Sequence, residues 1–265
     1  MNSAPDFSIV TPSRNSGAFL ADCIRSVQEQ EGATWEHIVM DAQSTDATLD
    51  ILDSEPGVQW TSEPDSGMAD AINKGFGRAR GKWLMWLNAD DILLPDTLRV
   101  VKEHAAGITS DVIYGDCAFV DADLKFIRRK RDHRFDLYTL LFYGCFISST
   151  SCFYHRRIVD AGHLLKTEYH VCLDTEYYLR LACEGYTFAY MPKVLAHFRW
   201  HGDNASTRLD SIRRRERFAI QSACLKKLGM SHLAHRLPLA ILKQAFRLKR
   251  AWLRVTPCAS APVAR

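Results

Sequence analysis

The sequence predicts an α/β protein built on a mostly parallel sheet flanked by helices. Short apolar runs rich in β-branched and aromatic residues alternate with segments whose apolar residues recur at helical spacing. That is the order successive βα units produce. The polar residues with useful chemistry, Asn15, Asp41 and the cluster of Asn88, Asp90 and Asp91, fall where those runs end. Open α/β sheets bind their ligands at the carboxyl ends of their strands. The length of 265 residues suits one large domain, or a domain with a short appendage.

Residues 7–11 (FSIVT) form the first predicted strand, and PSRNS follows as a turn. Over residues 17–30, Phe19, Leu20, Cys23, Ile24 and Val27 share one helical face. Residues 35–40 (WEHIVM) are a second strand, ending at Asp41. Residues 45–53 read as a short helix with Leu49, Ile51 and Leu52 inward, and 58–62 as a third strand. A helix over 68–80 is stopped by Gly81, and the strand 82–87 opens into NADD. Pro95 then starts a helix over 96–106, a position where its missing N–H costs nothing. Beyond this the pattern changes. Residues 111–121 read as one or two strands, and 135–159 are apolar and aromatic with no clean period. Residues 173–185 read as a helix closed by Gly185, and 189–201 as strands around a turn.

Apolar residues are 47% of the chain and charged residues 25%, an ordinary globular balance. No window of eighteen residues is apolar and free of charge, so no transmembrane helix is predicted. The first residues lack the basic and apolar regions of a secretory signal. The eight cysteines are scattered without a CxxC pair, which predicts reduced, mostly buried thiols in a cytoplasmic protein. The net charge of +3 is unevenly placed: residues 208–254 carry thirteen Lys or Arg against two acids. Within that tail, apolar residues from Leu239 to Leu253 alternate with Lys243, Arg247, Lys249, Arg250 and Arg254. Such a helix can lie on an anionic membrane surface, or pack on the body with its charges in water. Nothing in the chemistry of the body calls for nucleic acid.

Five segments carry candidate chemistry. In LNADD the carboxylates and amide of Asn88, Asp90 and Asp91 crowd a strand end. Hard oxygen ligands of this kind suit Mg²⁺ or Mn²⁺, which bind substrate phosphates; the same residues would also serve as a turn and helix cap. In MDAQSTDAT, Asp41 can meet a nucleoside, while Ser44, Thr45 or Asp46 can cap the next helix. In SEPDSGMADAINKG, a helix start after Gly67 suits phosphate contacts, with Asn73 and Lys74 either there or on a solvated face. In LDTEYYLRLACEG, an ion pair of Glu176 with Arg180 leaves Asp174 free for other work. In HFRWHGDNAS, His201 sits beside a Gly-Asp-Asn turn, in place for an anion.

Together these motifs resemble the family 2 glycosyltransferases, the large inverting group of the GT-A fold. The matched pieces are SIVTPSRNSGAFLADCIRSV, MDAQSTDAT, SEPDSGMADAINKGF, GKWLMWLNADD, YGDC, LDTEYYLRLACEG and FRWHGDNAS, in the family's order over about the first 205 residues. GMADAINKG and LNADD look most like the branch that builds bacterial surface polysaccharides. The resemblance implies a GT-A domain whose residues 1–115 bind the nucleotide-sugar and whose residues 116–207 hold the acceptor and the catalytic base. Residues 208–265 would form a basic helical appendage. It implies Asp90 as the principal metal ligand with His201 beside it, and Asn88 in place of the first Asp of the family's DXD. Asp41 matches the acid that contacts the base, and Pro12, Asn15, Ser44, Asp65, Asn73, Lys74 and Asp91 join it on the donor side. Asp174 takes the place of the general base. Leu173 stands where the family's ED pair has Glu, so Asp174 works alone or with Glu176. The implied reaction moves a sugar, most commonly from a UDP-sugar, to a hydroxyl of a glycan or lipid-linked acceptor. A lipid-linked acceptor would make this a peripheral enzyme on the inner face of the plasma membrane.

Other classes fit less well. No GxGxxG opens the first helix, as a dinucleotide-binding dehydrogenase requires, and no GxxxxGK[ST] is present. A glycoside hydrolase needs two carboxylates but no diphosphate-directed metal. A GT-A-like scaffold without activity, or a carbohydrate- or lipid-associated binding protein, is the remaining alternative; the joint presence of Asp41, Asp90, Asp91 and Asp174 speaks against it.

Overall fold

The computed structural model describes residues 4–202, 204, 210–230 and 239–255. Parts of the predicted tail, residues 208–209 and 231–238 among them, lie outside the described residues. Among the described residues nine strands form one sheet in the order β3-β2-β1-β4-β8-β6-β9-β5, with β7 on β6. The strands are β1 (Phe7–Ser13), β2 (Trp35–Asp41), β3 (Val58–Ser62), β4 (Trp83–Trp86), β5 (Ile92–Leu93), β6 (Val112–Val120), β7 (Phe126–Lys130), β8 (Cys152–His155) and β9 (Phe188–Arg199). β1 to β4 pair in parallel, as do β6 and β9, while β8 runs antiparallel between β4 and β6.

Helices cover both faces, as a parallel sheet requires. They are α1 (Leu20–Gln28), α2 (Thr48–Asp53), α3 (Met68–Arg78), α4 (Thr97–Ala106), α5 (Arg157–Asp160), α6 (Leu173–Cys183), α7 (Asp210–Lys227) and α8 (Leu239–Val255). Side chains alternate across each strand. Val10, Leu84 and Trp86 therefore face one core with α3, α6 and α7. Phe7, Ile9, Trp83 and Met85 face the other with α1 and α4. α3 lies so close to β1 that a Cβ on Gly75 would collide with Val10, which is why that helix tolerates glycine in its interior.

The structure departs from the sequence expectations in four places. The helix expected from residue 45 begins at Thr48, because Asp46 accepts the Thr48 N–H at 3.0 Å and holds the preceding residues in a turn. The aperiodic stretch 135–159 resolves into a π-helical turn (Thr139–Tyr143), a 3-10 turn (Ser149–Ser151), β8 and the start of α5. Residues 189–201 are not strands around a turn but lie mostly in one long strand, β9, whose register against β6 breaks between Met191 and Val194. Pro192 has no N–H to give the ladder, so the chain bulges there and resumes.

The fourth departure is the pair of strands β5 and β7, which the sequence pattern did not mark. The tail takes the packed one of the two placements left open for it. α7 is part of the body: Ile220, Cys224 and Leu225 are buried in the core under α6. α8 lays one face on the 139–143 turn. Phe246 stacks on Phe142 with ring centroids 5.1 Å apart, Leu253 is buried, and Lys249 pairs with Asp136 at 2.7 Å. Its other face leaves Leu248, Trp252 and Val255 exposed beside Lys243 and Arg247. Among the described residues no helix is long and apolar enough to cross a membrane.

Candidate active site

The site begins at the end of β4. The Leu87 N–H is held by the Val10 carbonyl, and the chain then turns through Asn88, with the Asp91 N–H bonded to the Asn88 carbonyl. Immediately after Asp91, β5 pairs antiparallel with β9, Ile92 opposite His197 and Leu93 opposite Ala196. Asp91 locks this corner. It is buried and accepts hydrogen bonds from the Arg199 N–H at 3.0 Å, the Thr150 hydroxyl at 2.9 Å and the Asn88 amide at 3.1 Å. Burial, and then the neighbouring Asp90 charge, raise its carboxyl well above the usual range.

The pairing carries the end of β9 to Asp90. The His201 Nε2 lies 2.9 Å from an Asp90 carboxylate oxygen, across 111 residues of sequence. Asn204 accepts the His201 backbone N–H at 2.7 Å and approaches the same Asp90 oxygen at 3.4 Å. The His201 ring packs against Phe19, with centroids 4.9 Å apart, and the Arg199 guanidinium lies over the same Phe19 ring, 4.6 Å from its centroid. Asn88 keeps a buried side-chain oxygen without a hydrogen-bond partner.

Asp90, His201 and Asn88 open onto a cavity of about 780 Å³. Pro12 and Asn15 line it from the end of β1, and Asp65 from the loop before α3. Asp174, in the first turn of α6, lines the same cavity. Its carboxylate accepts the Thr175 N–H at 2.5 Å and the Thr175 hydroxyl at 3.1 Å, and the Cys145 thiol lies at 3.6 Å. Burial raises the Asp174 carboxyl above its ordinary range; the Thr175 hydrogen bonds and the Lys130 charge oppose that shift without cancelling it.

The other expected residues lie outside the lining. Asp41 and Ser44 are buried behind it. Asp41 accepts from the Ser44 N–H at 3.0 Å and the Ser62 hydroxyl at 2.6 Å, and Ser44 Oγ accepts the Asn15 N–H at 2.7 Å. These bonds shape the turn that presents Asn15, which adopts a left-handed φ of 50°. The Asn73 side chain clamps the backbone of Leu165 through two bonds, at 2.8 and 2.9 Å. Lys74 pairs with Glu63 and Asp70 on the surface. Glu176 is taken up by Arg180 at 2.8 Å and Lys166 at 3.3 Å, so the i,i+4 pair forms and its carboxylate is not free to assist Asp174. Sequence reasoning passed over Phe19, Ser149, His170 and Asn204, all of which line the cavity. Asn204 stood inside a quoted motif, whereas Phe19 had the spacing of a core residue and His170 belonged to no motif.

A parallel sheet with a carboxylate-rich loop at the end of its fourth strand and a second carboxylate lining the same cavity defines a glycosyltransferase of the GT-A fold. The chain belongs to glycosyl transferase family 2, whose family model matches residues 8–163. It is 32% identical over 215 residues to a PGL/p-HBAD biosynthesis glycosyltransferase of Mycobacterium tuberculosis, covering 78% of this chain and 82% of that one. Among solved structures it resembles S. aureus TarS in complex with UDP-GlcNAc, with a TM-score of 0.69 and 14% identity over 93% of this chain and 72% of that one. It also resembles the Pyrobaculum calidifontis mannosyltransferase PcManGT in complex with GDP-Man and Mn²⁺, with a TM-score of 0.63 and 17% identity over 97% and 77%.

Removing the Asp91 carboxylate strands the donors of Arg199 and Thr150 in a buried corner. Asp91→Ala is expected to cost about 2–4 kcal/mol, a few unsatisfied buried groups' worth. Urea unfolding measures this, and a loss under about 0.5 kcal/mol, the size of a neutral surface change, would show that Asp91 does not hold the corner.

Proposed function

We propose that the protein transfers a hexosyl or N-acetylhexosaminyl group from a nucleoside-diphosphate sugar, UDP-linked by preference, to a hydroxyl of a glycan or lipid-linked acceptor, with inversion. The observation that carries this reading is that the Asp90–His201 pair and Asp174 line one and the same cavity. TarS is solved with UDP-GlcNAc and PcManGT with GDP-Man and Mn²⁺, which supports a nucleotide-sugar donor here.

The residues at the donor side fit a divalent cation. Asp90 offers a carboxylate, His201 an imidazole nitrogen and Asn88 an amide oxygen with no other partner. Among the described residues no group of three or more His, Cys, Asp and Glu forms a full protein cage. A small oxygen- and nitrogen-rich set of this kind suits Mg²⁺ or Mn²⁺, which keep positions for water and phosphate. When bound, the ion would neutralise charge on the departing diphosphate. Asp90 and His201 would hold it; Asn15 and Pro12 would border the nucleotide, with Asp41 and Ser44 bracing their loop.

Asp174 acts on the acceptor. Its carboxylate takes the proton of the acceptor hydroxyl while that oxygen bonds to the anomeric carbon. The bond from that carbon to the diphosphate breaks, and its electron pair leaves with the nucleoside diphosphate. A carboxylate with a raised pKa is the stronger base for this step.

Four outcomes are expected. Asp90→Ala should lower turnover by at least about 100-fold, the scale of one well-placed electrostatic group, and His201→Ala should raise the metal concentration needed. Full activity in excess EDTA would overturn the metal assignment. Asp174→Asn should keep donor affinity and lose roughly 10²–10⁴ in kcat. In the wild type the acid limb of kcat/KM should lie above the ordinary Asp value of about 3.9, because burial raises the folded carboxyl and it must be ionised to act. Lost donor binding with surviving kcat would reassign Asp174.

The exposed face of α8, Leu248, Trp252 and Val255 beside Lys243 and Arg247, supports peripheral attachment to an anionic membrane. The double variant Leu248→Ala/Trp252→Ala should stop co-sedimentation with vesicles containing anionic lipid, and salt should weaken the wild type's binding. Equal sedimentation of both proteins would leave α8 a structural helix only.

A further inference from the structure

α7 carries an acid where its sequence is otherwise basic. Glu216 stands among Arg213, Arg214, Arg215 and Arg217, yet its side chain is buried. The carboxylate accepts three consecutive backbone N–H groups: His170 at 2.7 Å, Val171 at 3.0 Å and Cys172 at 2.8 Å. These residues lead directly into α6, and Cys172 is its N-cap residue with no capping side-chain bond of its own. A helix start leaves N–H groups without intrahelical partners and favours negative charge. The thiol of Cys172 is a poor acceptor for that purpose. Glu216 supplies both the acceptor and the charge from 44 residues away.

The same helix also holds the other side of the base. Arg217 donates to the carbonyls of Phe142 at 3.2 Å and Tyr143 at 2.6 Å, and Gln221 to that of Leu141 at 2.6 Å. That turn runs into Cys145, whose thiol lies 3.6 Å from the Asp174 carboxylate. The segment that Glu216 grips contributes His170 and Val171 to the cavity wall, and Leu173 and Asp174 follow it. No bond from Glu216 reaches the donor-side residues on β1, β2 or the end of β4.

We propose that Glu216 is a positioning residue: through the backbone of residues 170–172 it fixes the acceptor-side wall and aims Asp174. This rests on Asp174 acting as the base. The arrangement also makes α7 part of the catalytic unit, so the functional domain extends to at least residue 230.

Glu216→Gln and Glu216→Asp test this in the full-length protein. Glutamine keeps the shape but turns an NH₂ toward an N–H donor. Aspartate keeps the charge but is one methylene short. Both should lower kcat/KM for the acceptor roughly 10- to 100-fold, the scale of a misplaced catalytic group, with donor KM within about twofold of the wild type. The acid limb of the pH profile should move to lower pH, because a loosened wall admits water to Asp174 and relieves the burial that raises its pKa. The amides of residues 170–172 should exchange slowly in the wild type and faster in the variants. A uniform loss of activity that follows the folded fraction, with donor and acceptor KM and the pH profile unchanged, would make Glu216 a structural staple only and overturn the proposal. So would wild-type kinetics, or fast exchange at 170–172 in the wild type, which is readable even if both variants fail to fold. If Asp174→Asn keeps full kcat, the base assignment fails by itself. The acceptor-KM and exchange effects of Glu216 would then persist without the pH shift.

Discussion

The short antiparallel pairing of β5 with β9 is the constraint on which the Asp90 side of the cavity depends. Two residue pairs, Ile92 with His197 and Leu93 with Ala196, bring the end of β9 back over the loop that leaves β4. Asp91 secures the corner by accepting the Arg199 N–H. Only because that register is set can Asp90 meet His201 at 2.9 Å. A slip of one residue would turn every side chain of β9 to the opposite face and take His201 away. The neighbouring acids thus divide the work by burial. Asp91, enclosed and hydrogen-bonded on three sides, holds the geometry, while Asp90 remains partly open to the cavity.

The two sides of the cavity are built by different means. The Asp90 side consists of loops that leave parallel strands β1, β2 and β4: Ser44 holds the Asn15 backbone, and Asp41 holds Ser44 and Ser62. The Asp174 side is not built on a strand end. It is the approach to α6, held from behind by α7 through Glu216 and by the 139–143 turn through Arg217 and Gln221. α8 presses on that same turn through Phe246 and Lys249. The basic tail and the wall that bears Asp174 are therefore mechanically continuous, so whatever α8 rests on bears on the Asp174 side of the cavity.

Most of the fold was legible because βα alternation is a local pattern. Strand runs and helical periods from residue 7 to 106 map onto β1 to β4 and α1 to α4 with small shifts at their ends. Legibility fell where elements depend on distant partners. β9 survives Pro192 only because β6 lies alongside to resume pairing after the bulge. The 135–159 stretch has no period because its turns are shaped by contacts with α6, α7 and α8. Of the residues the motifs singled out, Asn15, Asp65, Asn88, Asp90, Asp174 and His201 open onto one cavity. Asn73 and Lys74 sat in an equally suggestive motif, but helical geometry points them at Leu165 and at surface acids.

By itself the sequence determined the α/β class, the strand ends and the chemical types gathered at them, since side-chain periodicity and residue chemistry are local properties. Which acid is enclosed and which is open, that His201 reaches Asp90, and that Glu216 closes the approach to Asp174 were decided only by tertiary structure. Each depends on register and packing between segments far apart in the chain, and burial, which raises the carboxyls of Asp91 and Asp174, exists only once those segments have come together.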